Sequence, residues 1–227
     1  GPVCLRPPVP GLTLPVHLAP PAAPAFRGQR QSVLLPPELM RALELVGRRE
    51  GATLFMTLLA AYASLLHDLT GQTDLLIGTP IAGRTHEDIE PLIGFFVNTL
   101  PLRSSVEPGQ TFRDLLRAVR ETTLGAYAHQ DVPFEKLVEE VHPDRSEGHI
   151  PLLQTVFSLN NEFLSDDLFP GLRAELVEID TGTSKFDLTV VAKESPEGLT
   201  VLAEYNSDLF NRNTIARLLR HFGNLIE

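Results

Sequence analysis

The spacing of hydrophobic residues changes along this chain, and that change constrains the fold more than any other feature. In the first part, apolar residues recur at helical spacing, as in the stripe of Leu54, Leu58, Tyr62 and Leu65. In the last third the period becomes two, as over residues 199–205, which is the spacing of a strand with one buried face. The apolar stripe of each helix and the apolar face of the sheet are both buried when the helices pack on the sheet. The sequence therefore predicts a fold of the α/β class (an α+β sandwich), with a mixed, largely antiparallel sheet and helices mainly on one face.

Local signals set the order of the predicted elements. Pro36 opens a first helix, Thr53 caps a second that Gly71 ends, and Thr111 with Asp114 resembles a capping box. A closing helix begins near residue 211. Strands are predicted at 32–35, 74–78, 95–103 and 153–159, followed by a hairpin that joins a strand around 186–190 to the strand at 199–205 through the turn 196–198.

The first 27 residues differ from the rest because they contain eight prolines. Proline removes backbone donors and fixes φ, so we expect an extended linker or a strap across a surface, mobile unless something pins it. We therefore divide the chain into a proline-rich segment, 1–27, and a folded subdomain, 28–227. The dipeptide Gly1-Pro2 has two interpretations, a scar of tag cleavage or a native sequence.

Composition excludes several function classes. The chain has 29 acidic and 19 basic residues, a formal charge of −10, which disfavours a nucleic-acid partner. The lone Cys4 excludes an intrachain disulfide and a multi-cysteine metal site. No basic segment leads into an apolar one, as in a signal peptide, and no run of about 18 apolar residues predicts a membrane span. These observations favour a cytoplasmic protein with no membrane partner.

The sequence lacks the common catalytic and cofactor motifs. It contains no His-Glu-x-x-His, Gly-x-Ser-x-Gly, Walker or Gly-x-Gly-x-x-Gly pattern, and no two of its seven histidines are adjacent. We therefore predict neither a metal site nor a directly bound cofactor, and no catalytic residue.

The remaining candidates are polar residues within apolar strings. Asn98, Thr99 and Arg103 belong to the string IGFFVNTLPLR. Asn98 has two interpretations: its amide satisfies backbone groups at a bulge, or it lines a substrate tunnel and orients a carbonyl. Thr99 and Arg103 are further tunnel candidates.

Two further strings carry candidates. In the string HQDVPFE, the structural interpretation is favoured: His129 meets helix-terminal carbonyls, and Asp131 caps the helix that Pro133 starts. The other members of this motif are Gln130 and Phe134. Later in the chain, Lys185 and Asp187 flank Phe186 with geometry that permits either a salt bridge or a surface contact.

These strings, in this order, resemble the late motifs of nonribosomal peptide synthetase condensation domains. The resemblance runs from about Gly11 onward and is similar to the C-terminal half of such a domain. It is carried by six strings: residues 26–39, 51–84, 93–103, 129–141, 184–190 and 209–222. The resemblance implies half of a fold similar to chloramphenicol acetyltransferase, in which two halves form a V around a tunnel.

The resemblance also implies a reaction and its partners. A donor acyl thioester on one carrier protein is attacked by the amine of an aminoacyl thioester on another, both on phosphopantetheine arms, in antibiotic biosynthesis. The family motif His-His-x-x-x-Asp-Gly is absent from this sequence. We therefore expect a fragment of an amide-forming acyltransferase that is inactive without an N-terminal condensation subdomain. The alternatives are a non-catalytic docking module for carrier proteins or tailoring enzymes, and the matching half of an epimerisation or cyclisation relative.

Two inter-half roles follow from the resemblance. Arg84, and Arg103 as second choice, are candidates to pair with the carboxylate of the missing motif, since a buried carboxylate needs a cationic partner. An ordinary surface arginine is the alternative for Arg84. The segment Lys185, Phe186 and Asp187 is the candidate to reach across to the other half.

Overall fold

A single mixed sheet organises the computed structural model, which describes residues 5, 9–16, 26–84, 87–141, 152–160 and 179–227. The strands are β1 Gly28–Leu35, β2 Asp74–Ile81, β3 Asn98–Ser105, β4 Thr155–Asn160, β5 Leu188–Ser195 and β6 Gly198–Asn206. The helices are α1 Pro37–Arg49, α2 Leu54–Thr70, α3 Phe112–Tyr127, α4 Phe134–Val141 and α5 Arg212–Ile226, with a 3₁₀ turn at Glu87–Ile89.

The strand order is β1-β6-β5-β4-β2-β3. The pairs β1/β6, β5/β6 and β2/β3 are antiparallel, whereas β2/β4 and β4/β5 are parallel. The predicted class, a mixed and largely antiparallel sheet, is confirmed. The turn at 196–198 joins β5 to β6 as the predicted hairpin.

Four helices cover one face of the sheet. α1, α2, α3 and α5 pack on the face that presents Ile77, Leu102, Phe157 and Ala203, and these residues form the main core. α2 is the central helix, and its Tyr62 is fully buried, with the ring stacked on Phe157 at 5.4 Å between centroids. Burial raises the pKa of this phenol, whose oxygen lies 2.6 Å from the Thr155 hydroxyl. Helices mainly on one face are therefore observed as predicted.

A smaller core lies on the opposite face. Leu76, Leu152 and Leu153 are buried there against α4. Since α3 packs on the first face and α4 on the second, the connection between them passes around the edge strand β3. β2 is consequently covered on both sides, and residues 75–79 are all buried.

The described part of the proline-rich segment is packed on the fold. Leu12 and Leu14 are buried in the main core. The Gln72 side chain accepts a hydrogen bond from the Thr13 amide at 2.7 Å and donates one to the Gly11 carbonyl at 2.8 Å. Residues 9–16 therefore form a pinned strap, while Gly1-Pro2 and Cys4 lie outside the described residues.

Several predicted strand boundaries differ from those observed; β1, for example, begins at Gly28 and not at residue 32, and two further differences bear on the cleft. β3 begins at Asn98, so Phe95 and Val97 lie in a loop. β5 begins at Leu188, so Phe186 precedes the strand. Within the described ranges no single helix is long and apolar enough to cross a membrane. One bent pair, α1 with α2, passes the length and composition criteria with a 100° bend.

Candidate functional site

Most of the residues selected from the sequence line one cleft beside the edge strand β3. This cleft, of about 720 Å³, lies between the loop 87–97, the α3–α4 turn, α4 and the segment before β5. The candidates that line it are Asn98, Thr99, Gln130, Asp131, Pro133, Phe134, Lys185 and Phe186. Strings up to about 90 residues apart in the chain are thus brought to one surface.

Asn98 is the residue that joins the first two strings. Its amide nitrogen donates to the carbonyls of Gln130 at 2.9 Å and Val132 at 2.8 Å. Its amide oxygen accepts from the backbone N–H of Thr99 at 2.9 Å and of Phe134 at 3.1 Å. Four hydrogen bonds occupy both donors and both acceptor positions of the side chain. The arrangement supports the structural interpretation of Asn98.

The same contact explains the start of α4. The N–H of Phe134 is the first of the orphan donors at the helix N-terminus, and the Asn98 side chain supplies its acceptor. Asp131, the residue expected to cap this helix, is exposed and lines the cleft. His129 Nδ1 lies 3.0 Å from the Gly125 carbonyl at the end of α3, so its predicted contact with a helix-terminal carbonyl is present.

The α3–α4 turn has two sides. Gln130, Asp131 and Pro133 face the cleft. His129 and Val132 face a second pocket of about 350 Å³ between α3, α4 and β3, with a mainly apolar lining. The turn therefore forms a thin wall whose position Asn98 fixes from the β3 side.

The cleft has an apolar wall with an acidic rim. Phe95, Phe96 and Phe134 supply aromatic surface, and Phe95 is 90% exposed. Asp131, Glu135 and Glu139 supply carboxylates, and Lys185 lies with its ammonium 5.6 Å from the Phe186 ring centroid. Within the described ranges, no three His, Cys, Asp or Glu side chains are grouped as metal ligands would be. The arrangement offers aromatic surface for apolar contacts and carboxylates for polar ones.

Arg84 lies at the edge of this cleft. Its Nη2 donates to the Leu92 carbonyl at 2.8 Å, and its Nη1 donates to the carbonyls of Ile89 and Glu90. The guanidinium carbon lies 4.2 Å from the Phe96 ring centroid. Arg84 is therefore engaged with its own loop, and pairing with a carboxylate of another half stays a prediction.

Arg103 and Asp187 do not line the cleft, whereas Phe186 lines it and also contacts the smaller core. Arg103 forms a bidentate pair with Asp74, with Nε to Oδ1 at 2.8 Å and Nη2 to Oδ2 at 2.6 Å. Phe186 packs against the smaller core of this chain, and the Asp187 carbonyl accepts from the Asn206 amide at 3.0 Å. A reach of this segment across to another half, and the inter-half role of Arg103, stay predictions.

Some cleft residues were not predicted from the sequence. Phe95, Phe96 and Val97 were assigned to a strand, although they form the loop wall. Glu135, Val138 and Glu139 line the cleft because they lie on one face of α4. Their spacing of three and four residues in the helix after Pro133 was the signal that could have predicted this face. Gly83 also lines the cleft and was not among the candidates.

Comparisons with known proteins agree with this architecture. A family model described as "Condensation domain" matches residues 4–227. A linear gramicidin synthase protein from Brevibacillus parabrevis is 46% identical over 220 residues, which is 96% of this chain and 4% of that protein.

Solved structures give the same result. A complex of the X-domain and OxyB from teicoplanin biosynthesis matches with a TM-score of 0.85 and 28% identity, over 95% of this chain and 48% of that one. The first condensation domain of the CDA synthetase matches with a TM-score of 0.78 and 26% identity, over 96% and 47%. The chain thus spans about half the length of these solved chains and a small fraction of the synthase.

Proposed function

Because this chain belongs to the condensation-domain family, we propose that it is the C-terminal half of a nonribosomal peptide synthetase condensation domain. The complete domain joins two thioesters: the acceptor amine attacks the donor carbonyl carbon, the amide bond forms, and the donor thiol leaves. Both groups arrive on the phosphopantetheine arms of carrier proteins, which are the partners of the domain. The compartment that fits this function is the cytoplasm.

The observation that carries the proposal is the cleft beside β3. It is formed by strings that are distant in the sequence, and exposed residues of the loop 87–97 form one of its walls. Ile93 is fully exposed and Phe95 nearly so, in a loop that also exposes Leu92 and Val97. Contiguous exposed apolar side chains mark an interaction surface, and the missing half is the partner that would turn an open cleft into a tunnel.

The role of this chain in the reaction is to help hold the two thioester substrates in position. Holding two reactants face to face gives effective molarities of about 10⁵ M or more, and half a tunnel cannot confine both. None of the cleft residues forms a nucleophile–base pair. The polypeptide alone is therefore inactive, and the reactive imidazole comes from the half that carries His-His-x-x-x-Asp-Gly.

Association with the other half tests the proposal. This chain is co-expressed with a tagged polypeptide carrying the N-terminal half, and the pair is purified on the tag. Ile93→Lys combined with Phe95→Lys places two charges in the exposed loop, and we expect association to weaken about tenfold or more. Leu45→Lys is the matched control, because Leu45 is also exposed but lies on α1.

The control and the wild-type chain should be retained equally. Retention of the double variant at the wild-type level would contradict the placement of the inter-half surface. Failure of the wild-type chain to associate would contradict the proposed function.

A docking module is the second candidate, because one of the matching structures is a complex of an X-domain with OxyB. This alternative predicts that the chain binds a carrier protein or a tailoring enzyme without any N-terminal half. Titration of the isolated chain with such partners by calorimetry separates the two functions.

A further inference from the structure

Arg84 makes an unusual set of contacts for an arginine beside an exposed cleft. Its guanidinium donates to three backbone carbonyls of one loop, those of Ile89, Glu90 and Leu92. The planar arrangement of donors on arginine can satisfy several acceptors at once, whereas the lysine ammonium is a point charge on a flexible stem. These bonds hold residues 89–92 at fixed positions relative to the end of β2.

A second set of contacts connects the same residues to Phe96. The Arg84 guanidinium lies over the Phe96 ring. The preceding residue, Gly83, has a φ of +62°, and a Cβ at this position would overlap the Phe96 carbonyl oxygen. Only glycine allows this approach, because any side chain would displace the Phe96 backbone. Gly83 and Arg84 therefore fix Phe96 by its backbone and by its ring.

These contacts determine the position of the cleft wall. Phe95 and Val97 flank Phe96 and line the cleft, but neither is buried by other residues of this chain, since both side chains are exposed. Asn98 fixes the next residue along through its four hydrogen bonds. The wall is thus held by Arg84 and Gly83 on one side and by Asn98 on the other.

We infer that Arg84 is a positioning residue that acts through the loop: it places Phe95 and Val97 where they form one wall of the cleft. The description of that wall as part of a condensation tunnel rests on the proposed function, whereas the loop contacts do not. This role needs the shape of the guanidinium, and a positive charge alone cannot replace it.

A tryptophan reporter tests the inference without any activity measurement. The chain contains no Trp, so Phe95→Trp places a single tryptophan on the wall, and excitation at its red edge avoids the three tyrosines. In that background we expect Arg84→Lys to lower the fluorescence anisotropy and to increase quenching by acrylamide, with the thermal unfolding midpoint nearly unchanged. Arg120→Lys is the matched control, because Arg120 Nε donates to the Gly51 carbonyl at 2.9 Å, away from the cleft. It should leave both fluorescence readouts unchanged.

A second variant keeps the inference falsifiable if Arg84→Lys lowers the unfolding midpoint. Phe96→Leu retains an apolar side chain but removes the ring beneath the guanidinium. It should also lower the anisotropy of the tryptophan and increase its quenching by acrylamide. Unchanged anisotropy and quenching in both variants would overturn the inference, whatever the outcome of the association experiment.

The complete two-half domain supplies the functional readout. A wall displaced by about 1 Å can reduce a rate by about a hundredfold, so we expect Arg84→Lys to lower kcat/KM for dipeptide formation strongly. Wild-type kcat/KM in the lysine variant would also overturn the positioning role. A strong loss of kcat/KM together with lower anisotropy of the tryptophan reporter supports the positioning role.

Discussion

Asn98 shows how a single side chain can hold two segments of a site together. Its amide connects β3 to the α3–α4 turn and provides the acceptor for the first N–H of α4. The sequence showed a polar residue inside an apolar string and left two interpretations open. It could not decide between them, because three of the four partners of Asn98 lie 32 to 36 residues further along the chain.

Replacement of Asn98 tests this structural role. Asn98→Ala leaves two carbonyls and one helix N–H of the turn without their side-chain partner, so we expect a loss of about 2 to 3 kcal/mol in the free energy of unfolding. Urea denaturation measures it. Asn211→Ala is the control: it removes the α5 cap, whose Oδ1 accepts from the Thr214 amide at 2.9 Å, and should cost about 1 kcal/mol. An equal or smaller loss for Asn98→Ala would contradict the role.

At the scale of single elements, local signals located the helix ends well. Thr53, Thr111 and Asn211 accept hydrogen bonds from amides three residues on, and Gly71 ends α2 in the left-handed region. The same local rules failed at Phe95. The conformation of that residue depends on the contacts that Arg84 makes with its loop, and periodicity does not encode such contacts.

Replacing Gly71 or Gly125 by alanine is expected to change the free energy of unfolding in opposite directions. Gly71 has a φ of +70°, so Gly71→Ala forces a side chain into the left-handed region at a cost of about 1 to 2 kcal/mol. Gly125 lies within α3, and a Cβ added to it would meet nothing within 4 Å, so Gly125→Ala should stabilise by about 0.5 to 1 kcal/mol. Thermal unfolding of both variants measures the difference, and changes of the same sign would contradict the assignment of the α2 end.

The start of α3 predicts a pH dependence. The Thr111 hydroxyl donates to the Asp114 carboxylate and holds the pKa of that carboxyl below its ordinary value of 3.8. A depressed pKa in the folded state means that the contribution is fully present above 3.8 and is lost as the pH falls through the lower folded value. Asp114→Asn should therefore remove part of the stability change between neutral and strongly acidic pH in chemical denaturation. An unchanged pH profile would contradict it.

At the scale of the whole molecule, the sequence predicted the class of the fold and the strings that build the cleft. Periodicity encodes which face of each element is buried, and this was sufficient for a sheet with helices mainly on one face. The strap was predicted as mobile unless pinned, and its pinning depends on Gln72, a residue with no local signature. The passage of the α3–α4 connection around β3 could not be predicted either, because it involves contacts between residues more than 30 positions apart, such as Asn98 and Phe134.

The cleft beside β3 is proposed to form only one side of a substrate tunnel. A chain that belongs to the condensation-domain family and spans about half of its solved relatives supplies a wall, an acidic rim and a fixed turn. Under the proposed function, amide formation requires a second polypeptide segment that confines both thioesters.

The most direct test is mass spectrometry of dipeptide formation from carrier proteins loaded with donor and acceptor amino acids. With this chain alone we expect no dipeptide above the rate without protein. With the polypeptide that carries the His-His-x-x-x-Asp-Gly half added, we expect product, and none when the second His of that motif is replaced by Ala. Dipeptide formed by this chain alone would contradict the account.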